Sequence, residues 1–307
     1  MAEEIIDVVI IGAGPAGLQA AMHAARKKVS VLVLGRIEQS SLYWAHVENY
    51  LGVGGVTEGS EMLKIGREQA ERFGARISGE DLLHIEQQEE LFEVKMEGGQ
   101  TIPARSVIIA TGTSRKKLKV KGEKELTGKG VSYCVDCDAN FYRGAKVAVV
   151  GDESAAVDGA LTLLKYASEV HLITKKLGVS ADLRQKLAES AVQVHEGAWV
   201  QEISGETAVT GVQLEDGSTL EVEGVFVELG AKGALELATT LGVQMDMETF
   251  SHIATNKKQE TNVPGVYAAG DIAGQPYQMA KAVGEGCLAG WEAANYANRL
   301  KRKQAQD

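Results

Sequence analysis

Cys134 and Cys137 stand three positions apart in Tyr133-Cys-Val-Asp-Cys-Asp138. A C-x-x-C pair at a helix start can close to a disulfide, and the aligned amide dipoles there stabilise a thiolate that attacks a partner disulfide while its neighbour resolves the product. Half of a zinc site is the alternative reading, weakened by the lack of a second C-x-x-C and by six scattered histidines; no metal is expected. Cys287, on an apolar helical face near Val283 and Trp291, reads as a packed core residue. The second chemical signal is Gly12-Ala-Gly14-Pro-Ala16-Gly17. In G-x-G-x-x-G between a strand and a helix, the first glycine permits the turn, the second lets a pyrophosphate approach and the third allows close packing of helix on strand. The helix N-terminus then holds the phosphates.

The elements that must position these residues repeat. An apolar strand over 5–11, an alanine-rich helix to about Lys28 and a strand over 29–34 form one βαβ unit. The same order returns as a strand over 147–150, a helix over 155–166 and a strand over 169–173. A constant offset of 139 residues sets Gly12 on Gly151, Gly17 on Ala156 and Arg36 on Lys175, the mark of a duplicated nucleotide-binding unit. The second copy contradicts the first at one position: Glu153 falls where Gly14 stands, placing a carboxylate where a diphosphate must approach. The predicted fold is α/β, with two Rossmann-like (three-layer ββα) nucleotide-binding domains and the second inserted into the first. Residues 1–113 and 249–307 form the first domain, 118–245 the second, and 114–117 and 246–248 the connectors.

With 307 residues, 44% of them apolar, the chain can bury two cores. The net charge of −10 disfavours general binding to nucleic acid or an anionic membrane. The opening MAEE is no secretion signal, and the apolar stretch 5–25 is broken by Asp7, three glycines and Pro15, so a cytoplasmic protein is expected. Seven cations between Ser114 and Gly130, from Arg115 to Lys129, are opposed only by Glu123 and Glu125. They read equally as a solvated connector or as a docking patch for an acidic protein.

Taken in order, Gly12–Gly17, Glu48-Asn49-Tyr-Leu-Gly52, Ala110-Thr111-Gly112, the Cys134–Asp138 segment, Ala268-Ala-Gly270-Asp271 and Gln278 followed by Gly284-Glu-Gly-Cys287 resemble the low-molecular-weight thioredoxin reductases over essentially the whole chain. The resemblance implies FAD on the first domain, held by Gly12, Gly14, Ala16, Gly17, Asn49, Thr111, Gly112, Gly270, Asp271, Gln278 and Met279, and a homodimer. It implies that Cys137 faces the flavin, that Cys134 attacks the disulfide of thioredoxin, and that Asp138 moves the thiol proton.

The departures bear on the electron donor. Where NADPH-dependent members carry G-x-G-x-x-A and His-Arg-Arg-x-x-x-Arg, this chain has Gly151-Asp-Glu-Ser-Ala-Ala156 and Thr174-Lys-Lys-x-x-x-Ser180. Gln39-Ser-Ser-Leu42 replaces a Gly-Gly-Gln expected beside the flavin, where Tyr43 and Trp44 read as packing residues. The stretch 275–286 is similar to that of the ferredoxin-dependent flavin thioredoxin reductases. Ferredoxin is therefore the expected donor, because flavin bridges one- and two-electron chemistry. The rivals are NADH or NADPH at a degenerate site favoured by Lys175-Lys176, another small donor such as a deazaflavin or second flavin, and a slow flavin-bound redox sensor. At the end of the second strand, Gly35-Arg36 stands where an acidic ribose ligand is usual, with Glu38 just beyond.

Overall fold

The computed structural model describes residues 4–112, 117–230, 234–247 and 252–306. Its helices are α1 (Pro15–Ala25), α2 (Gly59–Arg72), α3 (Val135–Asp138), α4 (Ser154–Leu163), α5 (Ala181–Ala188), α6 (Ala234–Leu241) and α7 (Met279–Gln304). None of the described helices is long and apolar enough to cross a membrane. Two compact units divide the chain: 1–96, 100–114 and 233–307 form the first, and 97–99 with 115–232 the second.

In the first unit, the strands Arg76–Ser78, Val31–Leu34, Ile6–Ile11, Thr101–Ile109, Leu91–Met96 and Leu82–Gln88 lie side by side. Thr101–Ile109 serves two layers. Its N-terminal half pairs antiparallel with Leu91–Met96, while its C-terminal half is parallel to Ile6–Ile11 and to Val266–Ala268. The continuous apolar run of Ile6–Ile11 is buried at every position, as a strand covered on both faces requires. α1 and α7 cross closely because their contact is made of small residues: a Cβ on Gly286 would lie 2.2 Å from the Ala16 carbonyl oxygen, and one on Gly290 2.2 Å from that of Ala20.

The second unit repeats the plan with an all-parallel sheet in the order Gln193–Glu196, Glu169–Thr174, Lys146–Val150, Gly224–Val227, Val131–Ser132, beside an antiparallel sheet of Val200–Gly205, Val209–Leu214 and Thr219–Leu220. The expected duplication reappears in the caps: Gly14 is the N-cap of α1 and Glu153 that of α4. The chain is α/β with two Rossmann-like domains, as its sequence indicates.

The boundary at 245 needs correction. α6 packs against Leu82–Gln88, and Leu237, Leu241 and Val243 join the buried cluster that holds Ile85, Val94 and Val266, so 233–245 belong to the first unit. The polar composition after Asp246 suggested a boundary there, but the i, i+4 pair Leu237 and Leu241 buries an apolar face against the first sheet. The expected connector at 246–248 is no bare link either: Asp246 N–H donates to the His252 carbonyl (2.8 Å) and Ala254 N–H to that of Gln244 (2.9 Å). Residues 114–116 and 248 lie outside the described residues.

Candidate active site

In the second unit, Cys134 and Cys137 are joined in a disulfide, their Cα atoms 5.3 Å apart. This supports the exchange reading over the half-zinc one. Cys134 is the N-cap of α3, and its sulfur accepts the Cys137 N–H at 3.1 Å. A thiolate there gains that donor and the positive end of the helix. Cys134 is 3% exposed and Cys137 half-buried.

Asp138 is held beside the pair by Ser132, whose hydroxyl donates to Asp138 Oδ2 at 2.6 Å and accepts the Cys134 N–H at 3.1 Å. Burial and, secondarily, the Asp138 charge push the Tyr142 hydroxyl up. Behind the helix, the buried Glu228 carboxylate accepts the Val135 N–H at 3.0 Å. Ser132 and Glu228 were not singled out in the sequence: Glu228 is distant along the chain, and Ser132 has no motif spacing.

The lysine-rich segment is folded rather than bare. Buried Glu123 accepts the N–H groups of Leu118 (2.9 Å) and Lys119 (2.6 Å) and the Tyr133 hydroxyl (2.9 Å), tying the segment to the residue before Cys134. Lys117, Lys119, Lys121, Lys124 and Lys129 remain exposed, with Lys121 paired to Glu202 at 2.8 Å. Arg115 and Lys116 lie outside the described residues.

The first unit gathers the glycine-rich residues. Gly12 has φ +114°, and a Cβ there would meet the Ala110 carbonyl oxygen at 2.3 Å; a Cβ on Gly17 would meet the Gly12 carbonyl oxygen at 1.8 Å. The turn therefore tolerates neither side chain. Gly14 has only the Ser40 side chain near the position its Cβ would take. Among the described residues the Ala16 and Gly17 amides at the start of α1 have no backbone partner, leaving donors directed from a helix N-terminus. Thr111 and Gly112 follow the strand beside this turn, and the buried Thr111 Oγ1 has no partner among the described residues.

Gly270 (φ +87°) approaches Ala16, its would-be Cβ 2.9 Å from that residue's Cβ. Its N–H donates to Glu285, while Lys281 Nζ donates to the Gly270 and Gly274 carbonyls and pairs with Glu285 at 3.0 Å. This clamp was missed, although its i, i+4 spacing is visible. Burial pushes the Asp271 carboxyl up, against the pull of Lys281. Asn49 Nδ2 donates to Gln278 Oε1 at 3.3 Å, and Met279 opens α7 against the core.

Where an acidic ribose ligand is usual, Arg36 forms an ion pair with buried Asp81 at 2.5 Å while Glu38 is exposed. Tyr43 packs on the core, but Trp44 is 79% exposed. Cys287 departs from its expected core position: it is a half-buried free thiol lining a cavity.

The two sets of residues, a glycine-rich cradle and a dithiol, coincide with a match to the pyridine nucleotide-disulphide oxidoreductase family over residues 6–286. The thioredoxin reductase of Listeria monocytogenes is 35% identical over 311 residues, covering 97% of this chain and 96% of that protein. The chain belongs to the thioredoxin reductases of this family. Among solved structures, the atypical thioredoxin reductase TRi of Desulfovibrio vulgaris Hildenborough is 36% identical with a TM-score of 0.82, covering 95% of this chain and 98% of that one. The ferredoxin-flavin thioredoxin reductase of Clostridium acetobutylicum is 34% identical with a TM-score of 0.69, covering 98% and 99%.

The cofactor of this thioredoxin reductase family is FAD. The residues present fit it: open space at Gly14, unpaired amides at the α1 N-terminus and an orphaned buried hydroxyl at Thr111 are what a diphosphate-bearing group requires.

Proposed function

We propose that this chain reduces thioredoxin through Cys134 and Cys137 with electrons that reach FAD from reduced ferredoxin. In this reading Gly12, Gly14, Ala16, Gly17, Asn49, Thr111, Gly112, Gly270, Asp271, Gln278 and Met279 hold the FAD. Held there, FAD would supply a centre able to accept electrons singly and give them up in pairs. Once the disulfide is reduced, the Cys134 thiolate attacks the thioredoxin disulfide to form a mixed disulfide. Cys137 then attacks Cys134, restoring the intramolecular disulfide and releasing thioredoxin as a dithiol. Two electrons and two protons leave the enzyme, and Asp138, held by Ser132, is placed to move the proton at the thiol. Because Cys134 is 3% exposed, the exchange with thioredoxin requires it to come into the open.

The observation carrying the donor assignment is the start of α4. There the Ala155 N–H is already taken by the Gly230 carbonyl (3.3 Å), and the Ala156 and Val157 amides are turned to the Glu153 carbonyl (3.2 and 3.4 Å). In α1 the Leu18 N–H likewise donates to the Gly14 carbonyl (2.9 Å), but among the described residues the amides of Ala16 and Gly17, which correspond to those of Ala155 and Ala156, take no backbone acceptor. Asp152 likewise engages the Thr174 hydroxyl and the Lys175 N–H, both at 2.8 Å, at the end of the strand where a ribose would be read. Two negative groups about 4 Å apart cost roughly 1 to 4 kcal/mol, which is about five- to thousandfold in affinity. The expected NADPH dissociation constant is therefore well above the micromolar range.

Calorimetric titration of NADPH into the FAD-loaded enzyme tests this reading. Negligible binding is expected, and Glu153→Gly alone should not restore it, because the Gly230 carbonyl still occupies the Ala155 amide. A micromolar dissociation constant in the unmodified enzyme would favour the second reading, a pyridine-nucleotide donor, for which the family description and Lys175 speak; that lysine is held over the Trp199 ring at 4.9 Å. A homodimer in a reducing cytoplasm belongs to the same proposal. Exposed Trp44, Leu51 and Val56 offer apolar surface for a second copy to cover.

A further inference from the structure

We propose that the first unit carries a second ligand site, for a small phosphate-bearing polyanion, in a cavity between the C-terminal end of α1 and the C-terminal half of α7. The cavity has a volume of about 740 Å³, in the range of small-molecule sites. Arg26 and Lys27, just past α1, face Arg299 and Arg302 of α7 across it, with Trp291 and Cys287 in the wall; no aspartate or glutamate lines it. In a chain of net charge −10, a carboxylate-free group of four cations is a local inversion of the field.

The neighbouring lysines show the contrast. Lys301 and Lys303 lie in the same final turns of α7 and are paired with Asp7 (2.9 Å) and Glu90 (2.5 Å). None of the four cavity cations is paired with a carboxylate among the described residues. Aromatic rings hold three of them: Arg26 lies 5.7 Å from the Phe73 centroid, Lys27 3.3 Å from that of Trp291 and Arg299 5.6 Å from that of Tyr296. A ring orients a cation without neutralising it, and the Lys27 ammonium, which also donates to Asn295 Oδ1 at 2.7 Å, and the exposed Arg26, Arg299 and Arg302 guanidinium groups keep their charge without a carboxylate partner among the described residues. Like charges gathered in this way repel, and an entering anion relieves that repulsion. Three guanidinium forks select phosphate oxygens, which they bind in pairs.

The site is separate from the FAD cradle. Gln278 caps the N-terminus of α7, whereas Cys287 to Arg302 lie about 13 to 36 Å farther along the helix at 1.5 Å per residue.

Cys287 supplies the test, because it is the free thiol when Cys134 and Cys137 are oxidised. In the oxidised, FAD-loaded enzyme, its alkylation by neutral iodoacetamide is timed with and without tripolyphosphate or ATP, against sodium chloride at equal ionic strength. Saturable slowing of at least about tenfold is expected, with loss of protection in an Arg299→Gln/Arg302→Gln double variant that retains FAD. Equal protection by both probes assigns the site to a phosphate chain, and stronger protection by ATP assigns it to a nucleotide. Arg302→Gln alone, at an exposed position, should weaken protection if the double variant folds poorly. Slowing no greater than with matched salt, unchanged protection in the variants, or protection only by an acidic protein would overturn the proposal.

Discussion

Cys134→Ser should lower thioredoxin turnover by about 10³-fold or more, the scale on which loss of a nucleophile acts, while leaving reduction of the flavin by its donor intact. The substitution isolates chemistry from folding. Serine is a favoured N-cap, and its hydroxyl can accept the Cys137 N–H that the sulfur now accepts at 3.1 Å. α3 and the Ser132–Asp138 contact should therefore persist. Stopped-flow absorbance of the flavin and a thioredoxin-coupled assay on the same preparation read the two halves separately. Wild-type turnover in this variant would remove Cys134 from the exchange.

Gly17→Ala should strip the protein of FAD. An alanine Cβ would sit 1.8 Å from the Gly12 carbonyl oxygen, and both atoms belong to the turn that presents the Ala16 and Gly17 amides. The backbone must give way, because no flexible side chain is available to move. Overpacking of this kind costs about 1 to 3 kcal/mol, so about five- to 150-fold in FAD affinity. The ratio of flavin to protein absorbance in purified material checks it, with circular dichroism to confirm that the sheet remains. Gly14→Ala, whose Cβ would meet only the Ser40 side chain at 3.3 Å, should be milder in the unliganded protein and lose FAD chiefly by crowding the diphosphate. Full FAD content in Gly17→Ala would remove the turn from the cofactor site.

Much of this architecture is written locally. The paired βαβ units, their register and their N-caps at Gly14 and Glu153 follow from strand hydrophobicity and glycine placement, which act within about 30 residues. The features that local pattern does not announce are those made by distant parts of the chain. Glu228 reaches the Val135 amide, and the Gly230 carbonyl reaches the Ala155 amide, across long separations. Gly230, at φ +122°, aims its carbonyl by a backbone conformation that its sequence neighbours do not specify. The second-domain boundary was misplaced for a related reason: composition marks where a chain becomes polar, whereas Leu237 and Leu241 are assigned by the surface they cover. Asp81, which pairs with Arg36, was hidden likewise, since the acidic residue at the end of the second strand arrives from a later loop.

In the proposed reaction, electrons enter at the flavin without a pyridine dinucleotide. Anaerobic mixing of the oxidised enzyme with stoichiometric donor, followed by flavin absorbance, tests it most directly. Reduced ferredoxin should bleach the flavin and, after oxidised thioredoxin is added, sustain repeated turnover; NADH and NADPH at micromolar concentration should leave the spectrum unchanged. Rapid bleaching by NADPH, with ferredoxin inert, would contradict the account.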